Sequence, residues 1–443
     1  MTRPVSPTAT TPHAALRTAV RGRVWLPGDA GFDDARLPWN RAVEQPAVAV
    51  VEAVDTDDVA ALVRYAAEHG ATVATQPNGH GATGRTQDAI VLRTGLLDSI
   101  TVDAAARRAV VGAGVRSGAL QAAVAEHGLT ALPGSSPVVS VTGVVLGGGL
   151  SWFGRAFGWV ADSVTAFDVV DASGQQQHVT AQTDPELFWA LRGGGGDYAV
   201  VTSVELALHE APEVFGGRVL WAGEHAAAVV ESYRALTADA PDELTAWLSL
   251  AQPPGSDPIV AVDVTYLGDE ARARTLLAPL DGLPDPLSDT RTPMTVAELG
   301  SITGEPTDPA PALSRTELLT ALDDDAVHAL LDTPIAPLLG VQVRHLGGAL
   351  ARPSDSPHGP LDEPYAVYLL GLALGPDMTA AVRARQAALA DALPTSGRKP
   401  VTFLGPDEGL ADALGAAALE RLRALKAERD PRGVLRSNFP ALG

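Results

Sequence analysis

Apolar and polar positions along this chain predict closely spaced strands and helices as far as about residue 210. Residues 47–54 are apolar and rich in valine, which predicts a strand. Residues 55–69 carry apolar side chains three and four positions apart, which predicts a helix, and Gly70 ends it. Further strands are predicted at 71–75, 89–92, 100–103, 109–115, 164–170, 178–181 and 198–208, with helices at 117–127 and 185–192.

After Pro212 the pattern changes to longer alternating runs. Residues 214–221, 244–250 and 259–267 alternate like antiparallel strands with helices between them. Residues 279–311 are rich in Pro, Asp and Thr and predict an irregular excursion. Two further strands are predicted at 341–346 and 365–374, and two further helices at 380–393 and 408–428.

Composition narrows the class of protein. The net charge of −21 argues against nucleic acid and anionic membrane surfaces as partners, because both would repel the chain. The absence of cysteine excludes disulfides, zinc–thiolate sites and iron–sulfur clusters. No apolar run is long enough to span a membrane, and the first residues lack a signal-peptide core. We therefore expect a cytoplasmic protein of undetermined oligomeric state, without a membrane anchor.

A glycine-rich loop at 76–85 (QPNGHGATGR) follows the strand predicted at 71–75. Three of its glycines lie within six residues, and His80 stands between two of them. Bare backbone N–H groups in such a loop can hold a phosphate, and glycine lets a ligand approach closely. The loop predicts a pyrophosphate site with a histidine that contacts the cofactor. A plain surface turn is the alternative for such a loop taken alone.

A second glycine-rich segment spans residues 134–152. Small hydroxyls alternate there with apolar residues, which suits a wall against a flat, partly polar ring system. The three glycines at 147–149 would each destabilise a helix by about 1 kcal/mol relative to alanine. They therefore predict a place where the backbone passes close to another group, and a packing kink is the alternative.

Residues 110–118 (VVGAGVRSG) resemble a variant nicotinamide-dinucleotide fingerprint. They follow a predicted strand and open a helix, but the third glycine falls one place late. No strand ending in an acidic residue lies about 20 positions on, where ribose recognition requires one. We interpret the segment as an ordinary strand-to-helix turn.

Three segments, taken in order, resemble motifs of the berberine-bridge-enzyme-like flavoproteins, which belong to the vanillyl-alcohol-oxidase type with a PCMH-type FAD-binding domain. They are the 76–85 loop, residues 135–152 (SSPVVSVTGVVLGGGLSW) and residues 191–202 (LRGGGGDYAVVT). The resemblance implies an α+β fold. It implies an FAD-binding domain of two α+β subdomains over 21–210 and a substrate domain with an antiparallel sheet flanked by helices over 211–395. Residues 396–443 would complete the FAD-binding domain, and residues 1–20 are expected to form a disordered lead.

The resemblance also implies roles for single residues. His80 resembles the histidine that bonds to the 8α-methyl carbon of the flavin. Ser136 stands where many relatives have a second, cysteine link, so we expect FAD attached through His80 only. Val139 matches the position that governs access of O₂, and a valine there resembles the oxidases. The other implied FAD contacts are Pro77, Asn78, Gly79, Gly81, Ala82, Gly84, Ser135, Ser140, Val141, Thr142, Gly143, Gly147, Gly148, Trp152, Val200, Val201 and Asn438.

The implied reaction removes a hydride from a C–H bond of a small organic substrate and passes the electrons to O₂, which gives H₂O₂. Catalytic candidates lie on two predicted strands of the substrate domain. Alternation puts Gln342 and Arg344 on one face and His345 on the other, and it puts Tyr365 and Tyr368 on opposite faces. A nearby Arg344 could lower the pKa of a tyrosine so that it acts as a base. An ordinary half-buried sheet residue is the alternative for either tyrosine.

Two other functions stay open at this stage: a dehydrogenase on the same scaffold, and a flavin-binding protein without turnover. The second stays open because Thr402 and Phe403 stand where relatives often have a tyrosine. Histidine spacing predicts no metal site, and no G-x-S-x-G motif predicts a serine hydrolase. The aromatic residues of the substrate domain favour an aromatic or polyketide-like substrate over a free sugar.

Overall fold

The computed structural model describes residues 13–442 and contains three main sheets. Its strands are β1 (Arg23–Trp25), β2 (Ala49–Glu52), β3 (Thr72–Thr75), β4 (Ala89–Arg93), β5 (Ile100–Asp103), β6 (Arg108–Gly112), β7 (Leu129–Thr130), β8 (Val164–Val170), β9 (Gln176–Val179), β10 (Val200–Ala207), β11 (His209–Glu210), β12 (Val214–Ala222), β13 (Leu244–Ala251), β14 (Ile259–Leu267), β15 (Ser288–Asp289), β16 (Thr292–Met294), β17 (Ala312–Leu319), β18 (Gly340–His345), β19 (Tyr365–Leu372) and β20 (Leu435–Arg436). Its helices are α1 (Leu16–Ala19), α2 (Phe32–Arg36), α3 (Thr56–His69), α4 (Ser117–Ala125), α5 (Val141–Leu146), α6 (Gly154–Phe157), α7 (Pro185–Leu191), α8 (Ala226–Ala238), α9 (Glu270–Asp281), α10 (Asp324–Leu331), α11 (Pro376–Ala392) and α12 (Ala416–Arg429).

The first sheet joins the two ends of the chain. Its strand order is β1-β2-β4-β3-β20, and β2, β4, β3 and β20 run parallel. Helix α3 crosses over between β2 and β3. It begins where the Asp55 side chain accepts the Asp58 N–H at 3.0 Å, and it ends at Gly70, whose φ is 65°. The predicted helix at 55–69 is confirmed.

The second sheet is antiparallel, with strand order β5-β6-β10-β8-β9. The third, which we call the central sheet, is also antiparallel and runs β15-β12-β14-β13-β18-β19-β17, with β16 paired to β12. Valines and leucines on one face of the central sheet pack in one core with apolar residues of α8, α9, α10 and α11. Polar and aromatic side chains occupy its opposite face. This mixture of sheets and helices is the predicted α+β class.

The prediction of a disordered lead over 1–20 is wrong for residues 13–20, while residues 1–12 lie outside the described part. Helix α1 is anchored because Leu16 is completely buried against the first-sheet core. The adjoining Arg21 and Gly22 N–H groups donate to the buried Asp58 carboxylate, each at 2.7 Å. A composition rich in Thr, Pro and Ala hid this single apolar anchor.

Five other local elements differ from the predictions. Helix α5, which was not predicted, begins within the second glycine-rich segment because the Ser140 hydroxyl accepts the Gly143 N–H at 3.1 Å. The helix predicted at 117–127 is α4, which ends at Ala125 and has no side-chain hydrogen bond at its N-cap residue, Arg116. Strand β17 was missed, since its polar residues mask the alternation. The helix predicted at 408–428 begins only at Ala416, and the excursion at 279–311 contains the short strands β15 and β16.

The C-terminal tail is held by a buried charge network that we call the tail latch: Asp197, Lys426 and Asp430. The Lys426 ammonium donates to an Asp430 carboxylate oxygen at 2.8 Å and to the Asp197 carbonyl at 2.7 Å. The Asp197 carboxylate accepts the N–H groups of Ser437 and Ala441 at 3.0 and 3.1 Å. The latch thereby fixes the tail beside the 76–85 loop.

Candidate cofactor and substrate site

The 76–85 loop connects β3 to β4, and its glycines have two different roles. Gly79 and Gly84 have φ values of 79° and 76°, which favour glycine. A Cβ on Gly79 would lie 2.7 Å from the Pro38 side chain, and one on Gly84 would lie 2.8 Å from the Glu44 carbonyl oxygen. Gly81, in contrast, faces open space. Only Gly81 therefore leaves room beside the loop for a ligand.

His80 lies half-buried at the centre of this loop, where its ring stacks on Trp39 with centroids 4.2 Å apart. Both ring nitrogens are buried, and neither has a hydrogen-bond partner among the described residues. Burial, with a smaller effect of the Arg116 charge, lowers the pKa of His80 to about 4. The imidazole is therefore neutral near pH 7. Buried nitrogens without partners are uncommon in proteins and indicate that a non-protein group belongs here.

Hydrogen bonds join the loop to the other predicted cofactor segments. The Asn78 amide donates to the Val138 carbonyl at 2.8 Å, which connects the loop to the second glycine-rich segment. The Gln76 amide lies 3.4 Å from the Asn438 side-chain oxygen, and the Thr83 hydroxyl donates to the Asn438 carbonyl at 3.1 Å. The loop, the 134–152 segment and the tail therefore meet in one place.

The second segment contributes further polar atoms without partners. Thr142 Oγ1 and Trp152 Nε1 are buried and have no hydrogen-bond partner among the described residues. The same is true of Ser437 Oγ in the tail. Ser136 and Val139 are half-buried, and Ser135 is buried. Val141 donates its N–H to the Val115 carbonyl at 3.0 Å, so the segment runs beside the start of α4. The remaining predicted contacts here, Ser140 and Gly143, form the first turn of α5.

The predicted close approach at Gly147 and Gly148 is made to protein. The His358 ring fills the space that a Cβ on Gly148 would need, and it does the same at Gly193 in the four-glycine turn. His358 Nε2 lies 3.2 Å from the Gly147 carbonyl, and the ring stacks on Trp159. Burial lowers the pKa of His358 to about 4, so this ring is neutral as well. Gly148 and Gly193 are thus packing glycines with φ of 87° and 104°.

Val200 and Val201 are buried at the start of β10. Their backbones pair with Val170 and Val169 of β8, and both side chains belong to hydrophobic cores. In the structure these two predicted cofactor contacts have a packing role. Their packing fixes the chain that follows the four-glycine turn at 193–196.

The polar face of the central sheet brings together three of the four predicted catalytic residues. In the strand register Gln342 lies opposite Tyr368, and Arg344 lies opposite Trp247. Tyr365 lies on the other face, where its hydroxyl is 2.8 Å from the Thr237 hydroxyl of α8. The predicted opposite orientation of the two tyrosines is confirmed. The structure separates Tyr365 from the other candidates, because alternate residues of a strand point to opposite faces.

Tyr368 does not have the lowered pKa that a base requires. Burial raises its pKa, and this effect outweighs a hydrogen bond from Ser314 and the positive charge of Arg344, which both act in the opposite direction. The expectation that Arg344 lowers the pKa of this tyrosine is therefore wrong in its net direction. Tyr368 is a neutral phenol near pH 7, which makes it a hydrogen-bond donor.

Arg344 lies at the end of a hydrogen-bonded chain across four strands. Its Nε donates to the Gln342 side-chain oxygen at 2.7 Å, and the Gln342 amide donates to the Ser249 hydroxyl at 3.3 Å. Ser249 donates in turn to Asp263 at 3.2 Å, and Asp263 forms an ion pair with Arg218. This series of hydrogen bonds fixes the plane of the Arg344 guanidinium. The sequence signal that could have revealed it is Asp263, a single acidic residue within the apolar run of β14.

Aromatic rings surround the same guanidinium. Its central carbon lies 4.2 Å from the Trp247 ring centroid, 5.1 Å from that of Phe403 and 5.5 Å from that of Tyr368. Trp247 stacks on Trp152 at 3.5 Å, which connects this face to the second glycine-rich segment. Each cation–π contact contributes roughly 0.5–2 kcal/mol at partly desolvated sites. We call Arg344, Trp247, Phe403 and Tyr368 the arginine cage.

Between residues 13 and 442, no helix is both long enough and apolar enough to cross a membrane. The same residues hold no group of three His, Asp or Glu side chains arranged to bind a metal ion.

Several known proteins resemble this chain. A family model described as an FAD binding domain matches residues 47–180. Among curated proteins, (R)-6-hydroxynicotine oxidase of Paenarthrobacter nicotinovorans is 34% identical over 285 residues. That alignment covers 62% of this chain and 61% of the relative, so the matched part spans about three fifths of the relative's length.

Two solved structures extend the likeness over most of the chain. The structure of 6-hydroxy-D-nicotine oxidase from Arthrobacter nicotinovorans matches with a TM-score of 0.82 and 28% identity, covering 94% of this chain and 97% of that one. BBE-like 1 of Physcomitrella patens matches with a TM-score of 0.84 and 20% identity, covering 96% and 98%. At that identity the second match shows a shared fold.

Proposed function

We propose that this chain, a homologue of 6-hydroxynicotine oxidase that carries an FAD-binding domain and shares the fold of the berberine-bridge-enzyme-like proteins, is an FAD-dependent oxidase of small organic substrates. The observation that carries the proposal is His80, whose two buried nitrogens have no partner in the described chain. Such a histidine fits a neighbour that the polypeptide does not supply. The substrate class comprises alcohols, amines and secondary metabolites with an oxidisable C–H bond.

The chain offers a cradle that fits FAD. Open space at Gly81 leaves room beside the loop, and the hydroxyls of Thr142 and Ser437 and the indole N–H of Trp152 are buried without partners. Bound FAD would supply the hydride acceptor for the reaction. The chain's own residues would hold it at the loop, the 134–152 segment and Asn438, and would exclude water by burial.

We propose that FAD is attached through His80 alone. A neutral imidazole has a free lone pair on one ring nitrogen, which is what a nucleophilic attachment needs, and the lowered pKa of His80 keeps it neutral. Ser136 offers a hydroxyl where a second thiol link would require cysteine.

Acid precipitation tests the attachment. Wild-type protein is expected to stay yellow in the precipitate, while His80→Ala releases its flavin or binds none. His127→Ala, which changes an exposed histidine, should behave as wild type. Acid-stable flavin in the His80→Ala variant would rule out His80 as the link.

The polar face of the central sheet supplies the substrate contacts. Tyr368 keeps its proton because burial raises its pKa, so its hydroxyl can donate a hydrogen bond to a substrate heteroatom. Gln342 accepts a hydrogen bond from Arg344 Nε and so positions the guanidinium. The two terminal nitrogens of Arg344 remain for a ligand beside the aromatic rings of the arginine cage. We expect Tyr368→Phe to lower kcat/KM by about tenfold to a hundredfold, the range for loss of one directed donor.

Val139, a small side chain that is half-buried beside the 134–152 segment, supports oxidase over dehydrogenase activity. The test is reoxidation of substrate-reduced protein in air, followed by stopped-flow absorbance together with H₂O₂ release. An oxidase reoxidises within seconds and releases one peroxide per substrate oxidised. Reduced protein that persists for minutes identifies the dehydrogenase. Protein whose flavin no substrate in a broad panel bleaches would favour flavin binding without turnover.

A further inference from the structure

The arginine cage contains a positive charge that the protein leaves incompletely paired. Arg344 is only 6% exposed, yet its guanidinium forms no salt bridge within residues 13–442. Its Nε donates to Gln342, and the described residues give its two terminal nitrogens no hydrogen-bond partner. Buried charges in proteins are normally paired, so the unpaired end of this guanidinium indicates a site for an anion.

A nearby ion pair shows what complete pairing looks like on the same face. Arg218 donates to both Asp263 carboxylate oxygens, at 2.5 and 3.0 Å, and Ser249 donates to the same carboxylate. Arg344 on β18 lies two strands away from Asp263 on β14, and the Asp263 carboxylate is already engaged by Arg218 and Ser249. The only other acidic residue that acts on the pKa of Arg344 is the half-buried Glu305, which forms no ion pair with it within the described chain.

The surroundings of the guanidinium define the shape of its ligand. The rings of Trp247, Phe403 and Tyr368 enclose the charge, so a ligand that approaches it must also pass over aromatic surface. The guanidinium presents its donors in one plane, which matches both oxygens of a carboxylate. Flat apolar surface beside a planar cation fits an aromatic ring carrying a carboxylate.

We propose that Arg344 binds the carboxylate of the substrate and that the substrate is an aromatic or similarly planar carboxylic acid. The proposal rests on the proposed function, since it names the substrate class of the same site. It also separates this chain from its relative named for 6-hydroxynicotine, because Arg344 repels the ammonium form of an amine at this end of the site.

The test is a calorimetric titration of the holoprotein with three probes of similar shape: benzoate, benzamide and benzylamine. Benzoate is expected to bind at least about tenfold more tightly than benzamide, the effect of one bidentate charged contact, and benzylamine more weakly than both. Equal binding of benzoate and benzamide, or tightest binding of benzylamine, would overturn the proposal without any variant.

Variants locate the contact. Arg344→Gln should abolish the preference for benzoate, and Arg344→Lys should retain part of it, because lysine keeps the charge and loses the fork. Glu305→Gln should tighten benzoate binding two- to fivefold, since it removes a competing negative charge. Arg352→Gln is the matched control: this exposed arginine pairs with Asp242 at the surface, and its loss should leave all three affinities unchanged.

Benzoate binding that survives Arg344→Gln in a folded variant contradicts the proposal, and circular dichroism establishes folding. If Arg344→Gln does not fold, Arg344→Lys and Glu305→Gln still give opposite predicted shifts. Failure of the proposed function is distinguishable, because it appears as absence of flavin in the purified protein, whereas the calorimetric preference for benzoate is measured without turnover.

Discussion

The tail latch and the His80 loop lie close together, and both bury polar groups, but they satisfy them differently. In the latch, Asp197, Lys426 and Asp430 engage one another and the backbone of the tail. At His80, both ring nitrogens have no partner among the described residues. The latch groups stabilise the fold through their mutual partners, whereas the two His80 nitrogens stay available to a group that the described residues do not supply. The two neighbouring regions therefore make opposite predictions for substitution.

The largest expected effect comes from breaking the latch. Asp197→Ala should lower the free energy of unfolding by about 3–5 kcal/mol, because it leaves Lys426 buried with one carboxylate fewer and frees the Ser437 and Ala441 N–H groups. Urea titration measures the loss. Glu186→Ala, which breaks the exposed pair with Arg421, is the control and should cost less than about 1 kcal/mol. Equal effects of the two variants would remove the distinction that we draw.

The next effect contrasts two glycines. Gly148→Ala should cost about 3 kcal/mol, because its φ of 87° strains an alanine and the His358 ring occupies the Cβ position. Gly81→Ala should leave the unfolding energy of flavin-free protein within about 0.5 kcal/mol, since nothing lies near its Cβ, but it should weaken flavin retention. Thermal melts and flavin absorbance measure the two quantities. A larger loss of stability for Gly81→Ala than for Gly148→Ala would contradict the packing role that we assign to Gly148.

The buried histidines predict a pH dependence of stability. Burial lowers the pKa of His80 and His358 to about 4 and that of His345 to about 3, against an ordinary value of 6.5. The unfolded chain therefore binds more protons between these values. Stability is full above pH 6.5 and falls as the pH drops toward 4, by up to about 1.4 kcal/mol per pH unit for each histidine.

Urea unfolding at pH 7, 6 and 5 measures this slope. His345→Gln should make the slope shallower by about one proton, while His127→Gln, at an exposed position, should leave it unchanged. An unchanged slope in the His345 variant would show that folding does not shift the pKa of this ring.

His80 is expected to have only a small effect on the fold itself. His80→Ala in flavin-free protein should cost only about 0.5–1.5 kcal/mol, the value of its stacking on Trp39, because no hydrogen bond is lost. The same variant should lose all acid-stable flavin. A stability loss as large as that of Asp197→Ala would make His80 a structural residue.

Local patterns predicted much of this fold. The helix at 55–69 and the strands at 100–103, 164–170 and 259–267 were found because apolar spacing and terminal glycines are encoded within a few residues. Helix α5 was hidden, since a serine cap followed by six residues is too short to show a helical period. The family resemblance drawn from three ordered glycine motifs is confirmed, because the FAD-binding domain and the relatives were found independently.

The site was predictable where sequence neighbours form it and not where distant strands do. The loop around His80 and its neighbour Asn438 were named from motifs. Trp39, His358 and the hydrogen bonds that join Arg218, Asp263 and Ser249 to Gln342 and Arg344 were not. The network depends on strand register, which places Trp247 opposite Arg344 although the two are far apart in sequence. The reversed direction of the Tyr368 pKa has the same origin, since burial depends on tertiary packing.

The parallel pairing of β20 with β3 has a consequence for how the protein is made. Leu435 and Arg436 lie beside Val73 and Ala74, although 360 residues of chain separate them in the order of synthesis. The ribosome therefore completes the whole central sheet before the strand next to the His80 loop exists. A chain cut short before residue 435 therefore lacks the strand that covers β3 at this edge of the first sheet.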